Sequence, residues 1–186
     1  EKGVSVLGAV LNKVLPEKYE RITEVVRMGL EALGFRLLGS LPYEKRLTFP
    51  TVRQVAYELK ARVLAGEDHL GNVIEHTVIA AMEPQNVVGY LHDRTLVITP
   101  GDRIDNILVA VSSHLISGGT GPRISGICLT GGLVPHFTII ALLKRSEIPV
   151  LLCEEPTYSV SARVTDMVFK INPDDSEKIN RAQELV

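Results

Sequence analysis

A regular alternation of apolar strands and helical segments constrains the fold of this chain more than any other feature of its sequence. Between residues 78 and 167, short runs rich in Val, Ile and Leu alternate with segments whose apolar residues recur at helical spacing. Such alternation predicts right-handed crossovers and a parallel sheet. The strands are almost continuously apolar, which is typical of strands covered on both faces. We therefore predict an α/β fold, a three-layer sandwich with a mainly parallel sheet.

The predicted elements fall into two parts, residues 1–60 and residues 61–186. In the first part, a helix begins at Pro16 and Gly34 is its natural C-cap, while Thr51 and Gln54 form a capping box for a second helix. The remaining predictions are strands at 4–14, 37–41, 61–64, 78–82, 96–99, 124–129, 150–153 and 169–171, and helices at 84–92, 102–116, 135–146, 157–167 and 174–185.

Composition excludes several classes of function. The net charge of −2 gives no basic field that would hold nucleic acid or an anionic membrane. No apolar run approaches the roughly 18 residues of a membrane helix, and no signal peptide is visible. With only two cysteines, a reducing cytoplasm is the expected location. Cys128 and Cys153 fit small buried hydrophobic residues, with a disulfide or reactive thiol pair as the alternative.

Two glycine-containing turns follow consecutive strands of the predicted sheet. One spans residues 99–105 and the other spans residues 129–135. In a parallel α/β sheet the carboxyl ends of the strands share one edge, and ligands bind in the crevice outside it. We therefore expect both turns to face one small site. The candidate ligand-binding residues are Gly101, Asp102, Arg103, Asp105, Thr130, Gly131 and Gly132, with Thr157 from the following turn as part of a third wall.

Each turn also has a purely structural interpretation. Asp102 is typical of the N-cap of a helix beginning at Arg103, and Thr157 is typical of the N-cap of a later helix. The paired glycines are typical of a turn whose residues have positive φ. In the functional interpretation, glycine N–H groups form an anion cradle to which the Thr130 hydroxyl adds a donor. A cation in the first helical turn opposes the helix dipole. Arg103 therefore needs either a carboxylate partner, for which Asp105 is a candidate, or an anionic ligand.

The sequence shows no catalytic constellation. It contains no HExxH, CxxC, GxSxG or GxxxxGK[ST] motif, and its five histidines lack metal-ligand spacing. We therefore predict no catalytic residue, no metal and no cofactor, other than a bound nucleotide or similar anion. Two candidate ligand-binding turns without catalytic residues favour a ligand-sensing module over an enzyme.

From about residue 61 to residue 171 the sequence resembles the DRTGG domain family. The matching segments are residues 78–82, 96–103, 129–132 and 148–150, followed by Thr157-Tyr158. The resemblance implies a fold similar to the N-terminal domain of HPr kinase/phosphorylase and a regulatory role. The family occurs beside CBS domains and in the N-terminal half of some phosphotransacetylases. This sequence departs from the family pattern at Ala80-Ala81, where Gly-Ala is usual, and in a longer glycine-rich loop at 117–123.

Residues 1–60 resemble the C-terminal end of a dethiobiotin synthetase-like ATPase domain. Residues 10–13 are similar to the strand end whose Asn lies near the nucleotide base, and residues 39–42 are similar to the next strand. The resemblance implies a phosphate loop before residue 1, so we expect the chain to be part of a longer protein. Without the glycines and lysine of that loop, we expect no ATPase activity from this chain alone.

Two hypotheses about function follow. The first is a non-catalytic regulatory module, a homodimer that binds a small anionic metabolite or nucleotide at the strand edge. The homodimer is expected because the apolar strand and helix of residues 1–60 lack their usual neighbours. The alternative is a fragment of an ATP-dependent ligase or phosphotransacetylase-related enzyme, whose P-loop or catalytic domain lies outside this chain. A phosphate loop upstream would distinguish the two.

Overall fold

The chain forms two compact units in the computed structural model, which describes residues 5–116, 121–169, 171, 173 and 175–185. One unit consists of Glu1–Thr48 and Lys170–Val186, and the other is Phe49–Phe169. These units do not follow the predicted boundary at residue 60. The helix after Thr51 buries its apolar face among later residues, whereas the C-terminal helix is joined to the earlier residues by an ion pair between Arg181 and Glu44.

The first unit combines a two-stranded parallel sheet with helices. The Tyr19 hydroxyl donates to the Ser40 carbonyl oxygen at 2.7 Å and so ties the first helix to the second strand. An ion pair of 2.6 Å between Arg181 and Glu44 holds the C-terminal helix in the same unit. The first strand begins later than predicted. The elements are β1 (Ala9–Val14), α1 (Tyr19–Ala32), β2 (Leu37–Pro42) and α7 (Ser176–Glu184).

The second unit is a five-stranded sheet in the order β3-β7-β6-β5-β4. All neighbouring strands run parallel except β3 and β7, which are antiparallel. Helices cover both faces, so the predicted α/β class is confirmed. The elements are α2 (Val52–Leu59), β3 (Arg62–Ala65), β4 (His76–Ile79), α3 (Pro84–Val87), β5 (Thr95–Pro100), α4 (Ile104–Ile116), β6 (Ile124–Thr130), α5 (Phe137–Arg145), β7 (Val150–Leu152) and α6 (Thr157–Asp166).

Two apolar clusters lie on opposite faces of this sheet. Helices α4 and α5 pack Ile107 and Leu143 against Ile127 on one face. Helices α2 and α6 pack Val55 and Val160 against the other face. Every residue of β6 is buried, and within it Ile127 and Leu129 enter one cluster while Cys128, between them, enters the other. This double burial explains the continuous apolar character of the central strands.

Some predicted features fall partly outside the described residues. Residues 117–120 of the glycine-rich loop and residue 170 of the predicted strand 169–171 lie outside them, and Phe169 and Ile171 are in no strand. None of the helices that the structure describes is long and apolar enough to cross a membrane.

Candidate functional site

The turns after β5 and β6 contact each other directly. Pro100 and Thr130 are partners in the parallel pairing, and the Gly101 N–H donates to the Thr130 carbonyl oxygen at 3.3 Å. A Cβ atom at position 101 would lie 1.7 Å from the Leu133 carbonyl oxygen, so only glycine fits. The structure thus brings the two predicted turns together at one edge. Whether this edge binds a ligand stays a prediction.

The glycines of the second turn are bound to the turn after β7. Gly131 donates its N–H to the Glu155 carbonyl oxygen at 2.8 Å, and Gly132 donates to the Cys153 carbonyl oxygen at 2.9 Å. Their φ angles of +79° and +66° explain the residue type. Because both N–H groups already have acceptors within the chain, they are not free to form the anion cradle of the functional interpretation. Their role is to connect the second and third turns.

A hydroxyl pair joins the same two turns through side chains. The Oγ1 atoms of Thr130 and Thr157 lie 2.7 Å apart, with Thr130 almost fully buried and Thr157 half-buried. Pro156, not Thr157, occupies the N-cap of α6, so the N-cap interpretation of Thr157 is wrong. The threonine pair therefore links the buried end of β6 to the half-buried first residue of α6.

Arg103 has the carboxylate partner that its position requires. Its guanidinium donates in bidentate fashion to Asp105, with Nε–Oδ1 and Nη2–Oδ2 distances of 3.0 and 2.9 Å. It also donates to the carbonyl oxygens of Ala81 and Met82, just after β4. The hydrogen bond from Arg103 holds the pKa of the Asp105 carboxyl below its ordinary value. Arg103 thus fastens the turn after β5 to the end of β4 and stays about one-third exposed.

The other acidic groups at this edge are exposed. Asp102 is not an N-cap, because α4 begins at Ile104, and its carboxylate has no hydrogen bond among the described residues. Glu154 lies over the second turn, since a Cβ at Gly132 would meet its Oε2 atom at 2.5 Å. Carboxylates therefore outnumber cationic side chains at this edge, where Arg103 pairs with Asp105 and Arg163 pairs with Glu155.

Asn106 is fully buried in the first turn of α4 and is not among the site residues predicted from the sequence. Its Nδ2 donates to the carbonyl oxygens of Ala80 and Met82 at 2.9 and 3.2 Å, whereas its Oδ1 has no partner among the described residues. The available signal was a polar side chain on the face of α4 that also carries Ile107 and Ala110. Asn106 thus braces the same strand end that Arg103 contacts.

Two further observations concern sites elsewhere. Within the described ranges, no group of three or more His, Cys, Asp or Glu side chains is placed to hold a metal ion. The first unit has an open cleft of about 570 Å³ at the start of α1, lined by Pro16, Glu17, Lys18, Tyr19, Glu20, Arg21 and Pro42.

Comparisons with known proteins match the second unit to one family. The family model described as the DRTGG domain matches residues 54–167. This confirms the predicted resemblance and moves its start into α2. The comparisons do not show a dethiobiotin synthetase-like domain.

Curated relatives are similar along the whole chain. A phosphate acetyltransferase of Nitratidesulfovibrio vulgaris is 35% identical, covering 100% of this chain and 27% of that protein. A phosphate acetyltransferase of a Synechocystis strain is 32% identical, covering 100% of this chain and 26% of that protein. The chain therefore spans about a quarter of the length of these relatives.

A solved structure is similar in fold. It contains the CBS and DRTGG domains of the regulatory region of Clostridium perfringens pyrophosphatase, complexed with the activator diadenosine tetraphosphate. The TM-score is 0.52 at 14% identity, covering 98% of this chain and 88% of that chain. At this identity the likeness concerns the fold alone.

Proposed function

Because this chain belongs to the DRTGG domain family, we propose that it is a non-catalytic regulatory module that binds a nucleotide or another small anionic metabolite. The observation that carries the proposal is the junction of three turns at the carboxyl ends of β5, β6 and β7. This is the edge where open α/β sheets bind ligands. The solved structure of similar fold supports a nucleotide, since that regulatory region of Clostridium perfringens pyrophosphatase is complexed with diadenosine tetraphosphate.

Arg103 is the proposed phosphate contact. Its bidentate pair with Asp105 is solvent-exposed, and such pairs exchange partners at little cost. A phosphate group presents the same planar pair of acceptors to a guanidinium as a carboxylate does. The hydroxyl of the half-buried Thr157, held by Thr130, adds a second polar contact. Gly101, Gly131 and Gly132 shape the turns, and Asp102 lies at the rim.

Isothermal titration of the purified chain with diadenosine tetraphosphate and with ATP tests this site. We expect saturable binding that Arg103→Met weakens by about tenfold or more, equivalent to about 1.4 kcal/mol. Arg94→Met is the matched control, because Arg94 pairs with Glu75 at 2.8 Å at the opposite edge of the sheet. Absence of binding, or equal losses in both variants, would contradict the proposal.

We further propose that residues 1–60 derive from a dethiobiotin synthetase-like domain, and that the chain regulates an enzyme related to phosphate acetyltransferase. The first proposal is supported by the resemblance of residues 10–13 and 39–42 to that domain. The second is supported by the phosphate acetyltransferase relatives, of which this chain spans about a quarter. The alternative, a fragment contributing to ATP-dependent catalysis, predicts ATP hydrolysis. An assay of the purified chain that detects ATP turnover would favour that alternative.

Homodimer formation is also a proposal. Apolar side chains of the first unit are exposed, among them Val25 at 62%, Met28 at 59% and Leu38 at 53%. Burying such surface stabilises association by roughly 25 cal/mol per Å². Light scattering is expected to give twice the chain mass of 20.4 kDa. A concentration-independent mass of a single chain would contradict dimerisation. A cytoplasmic location, consistent with two free thiols, completes the proposal.

A further inference from the structure

The two cysteines of the sequence lie side by side inside the second unit. Cys128 is on β6, Cys153 directly follows β7, and their Sγ atoms are 3.4 Å apart in a thiol–thiol hydrogen bond. Both are free thiols. The surrounding cluster is apolar and includes Ile98, Leu151 and Val160. The chain offers neither thiol any other sulfhydryl partner.

The strand backbones hold the two sulfurs in this position. The Cys153 N–H donates to the Leu129 carbonyl oxygen at 2.8 Å, and the Cys153 carbonyl accepts from Gly132. Cys128 is the register partner of Leu151, so both cysteines project from the same face of the sheet. A disulfide has a sulfur–sulfur distance of about 2.05 Å, so the sulfurs need to approach by only about 1.3 Å.

The two thiols are not equivalent. The hydrogen bond from Cys128 lowers the pKa of Cys153, whereas the same bond together with burial raises the pKa of Cys128. Cys153 is 4% exposed and Cys128 is fully buried. The thiolate is the nucleophilic form of cysteine. A small oxidant therefore reaches the sulfur of Cys153 first, and that sulfur is the nucleophile that attacks the oxidant.

We propose that Cys128 and Cys153 form a modification site at which hydrogen peroxide closes an intramolecular disulfide. The Cys153 thiolate attacks one peroxide oxygen, the O–O bond breaks, and a sulfenic acid and hydroxide form. The Cys128 sulfur then attacks the sulfenic sulfur, the S–O bond breaks, and the thiol proton leaves with the hydroxyl as water. In total, two thiols lose two protons and two electrons, and one peroxide becomes two waters. This proposal does not depend on the proposed ligand site.

Peroxide treatment of the folded chain tests the site. After quenching, free thiols are blocked in denaturant, and intact mass and unreduced peptide mapping locate any disulfide. We expect one bond between Cys128 and Cys153 within a single chain, reversed by a thiol reductant. A folded chain that keeps both thiols, and oxidises only once unfolded in urea, would overturn the proposal. Disulfides formed only between chains would overturn it as well.

Single variants test the assigned order of attack. We expect Cys128→Ser to accumulate a sulfenic acid at Cys153 that dimedone traps. Cys153→Ser is expected to lose its remaining thiol at least about tenfold more slowly than the wild type loses its pair. Circular dichroism establishes that each variant is folded, and Cys128→Ala or Cys153→Ala replaces a serine variant that is not. Trapping at Cys128 instead of Cys153 would refute this order.

Discussion

Replacing Gly101 with alanine tests how closely the turns at the strand edge are packed. An added Cβ would lie 1.7 Å from the carbonyl oxygen of Leu133 and 2.7 Å from its carbonyl carbon. Ordinary contact begins near 3.4 Å, so a gap of about 1.7 Å must open between the two turns. The obstacle is backbone, so no change of side-chain rotamer relieves it.

The energetic cost follows from two terms. Forcing a methyl group into packed structure costs about 1–3 kcal/mol. Separating the turns also breaks the hydrogen bond from the Gly101 N–H to the Thr130 carbonyl, worth about 0.5–1.5 kcal/mol. We therefore expect Gly101→Ala to lower the free energy of unfolding of the second unit by about 2–4 kcal/mol.

Urea titration followed by far-UV circular dichroism measures this loss, because the chain contains no tryptophan. Gly89→Ala is the control, since Gly89 belongs to the same unit and a Cβ there meets nothing within 4 Å. We expect the control to change stability by less than about 0.5 kcal/mol. If Gly101→Ala differs from Gly89→Ala by no more than that amount, the inferred close approach of the turns is wrong.

Three other perturbations have defined outcomes. Burial lowers the pKa of His114, whose Nδ1 accepts the Ile124 N–H. The unfolded chain therefore binds a proton at His114 more readily than the folded chain, and the free energy of unfolding should fall as pH drops below about 6.5. His114→Asn should remove this dependence in urea titrations. Thr130→Val and Thr157→Val should each cost about 1 kcal/mol, and a double-mutant cycle should show the double variant losing less than the sum. Thr51→Ala should lose about 1 kcal/mol in thermal or urea unfolding, whereas Thr51→Ser should not; equal losses would contradict a capping role.

Local patterns in the sequence predicted most of the second unit. Apolar runs without polar alternation, separated by helical segments, are compatible with a sheet covered on both faces, and that sheet was found. The capping box at Thr51 and Gln54 was also found, because its partners are only three residues apart. The antiparallel direction of β3 was not predicted, since a short strand carries no local mark of its orientation.

For the candidate site, the sequence predicted which turns lie close together but not how their groups are bonded. The sequence determined that the turns after β5 and β6 lie at one edge, because consecutive parallel strands end on the same side. It also restricted the partner of Arg103 to a nearby carboxylate or an anionic ligand. The tertiary structure shows that the partner is the carboxylate of Asp105. Only the tertiary structure showed that the glycine N–H groups donate to the turn after β7. It alone placed Cys128 beside Cys153, because such contacts depend on strand register across 25 residues of chain, which no local pattern encodes.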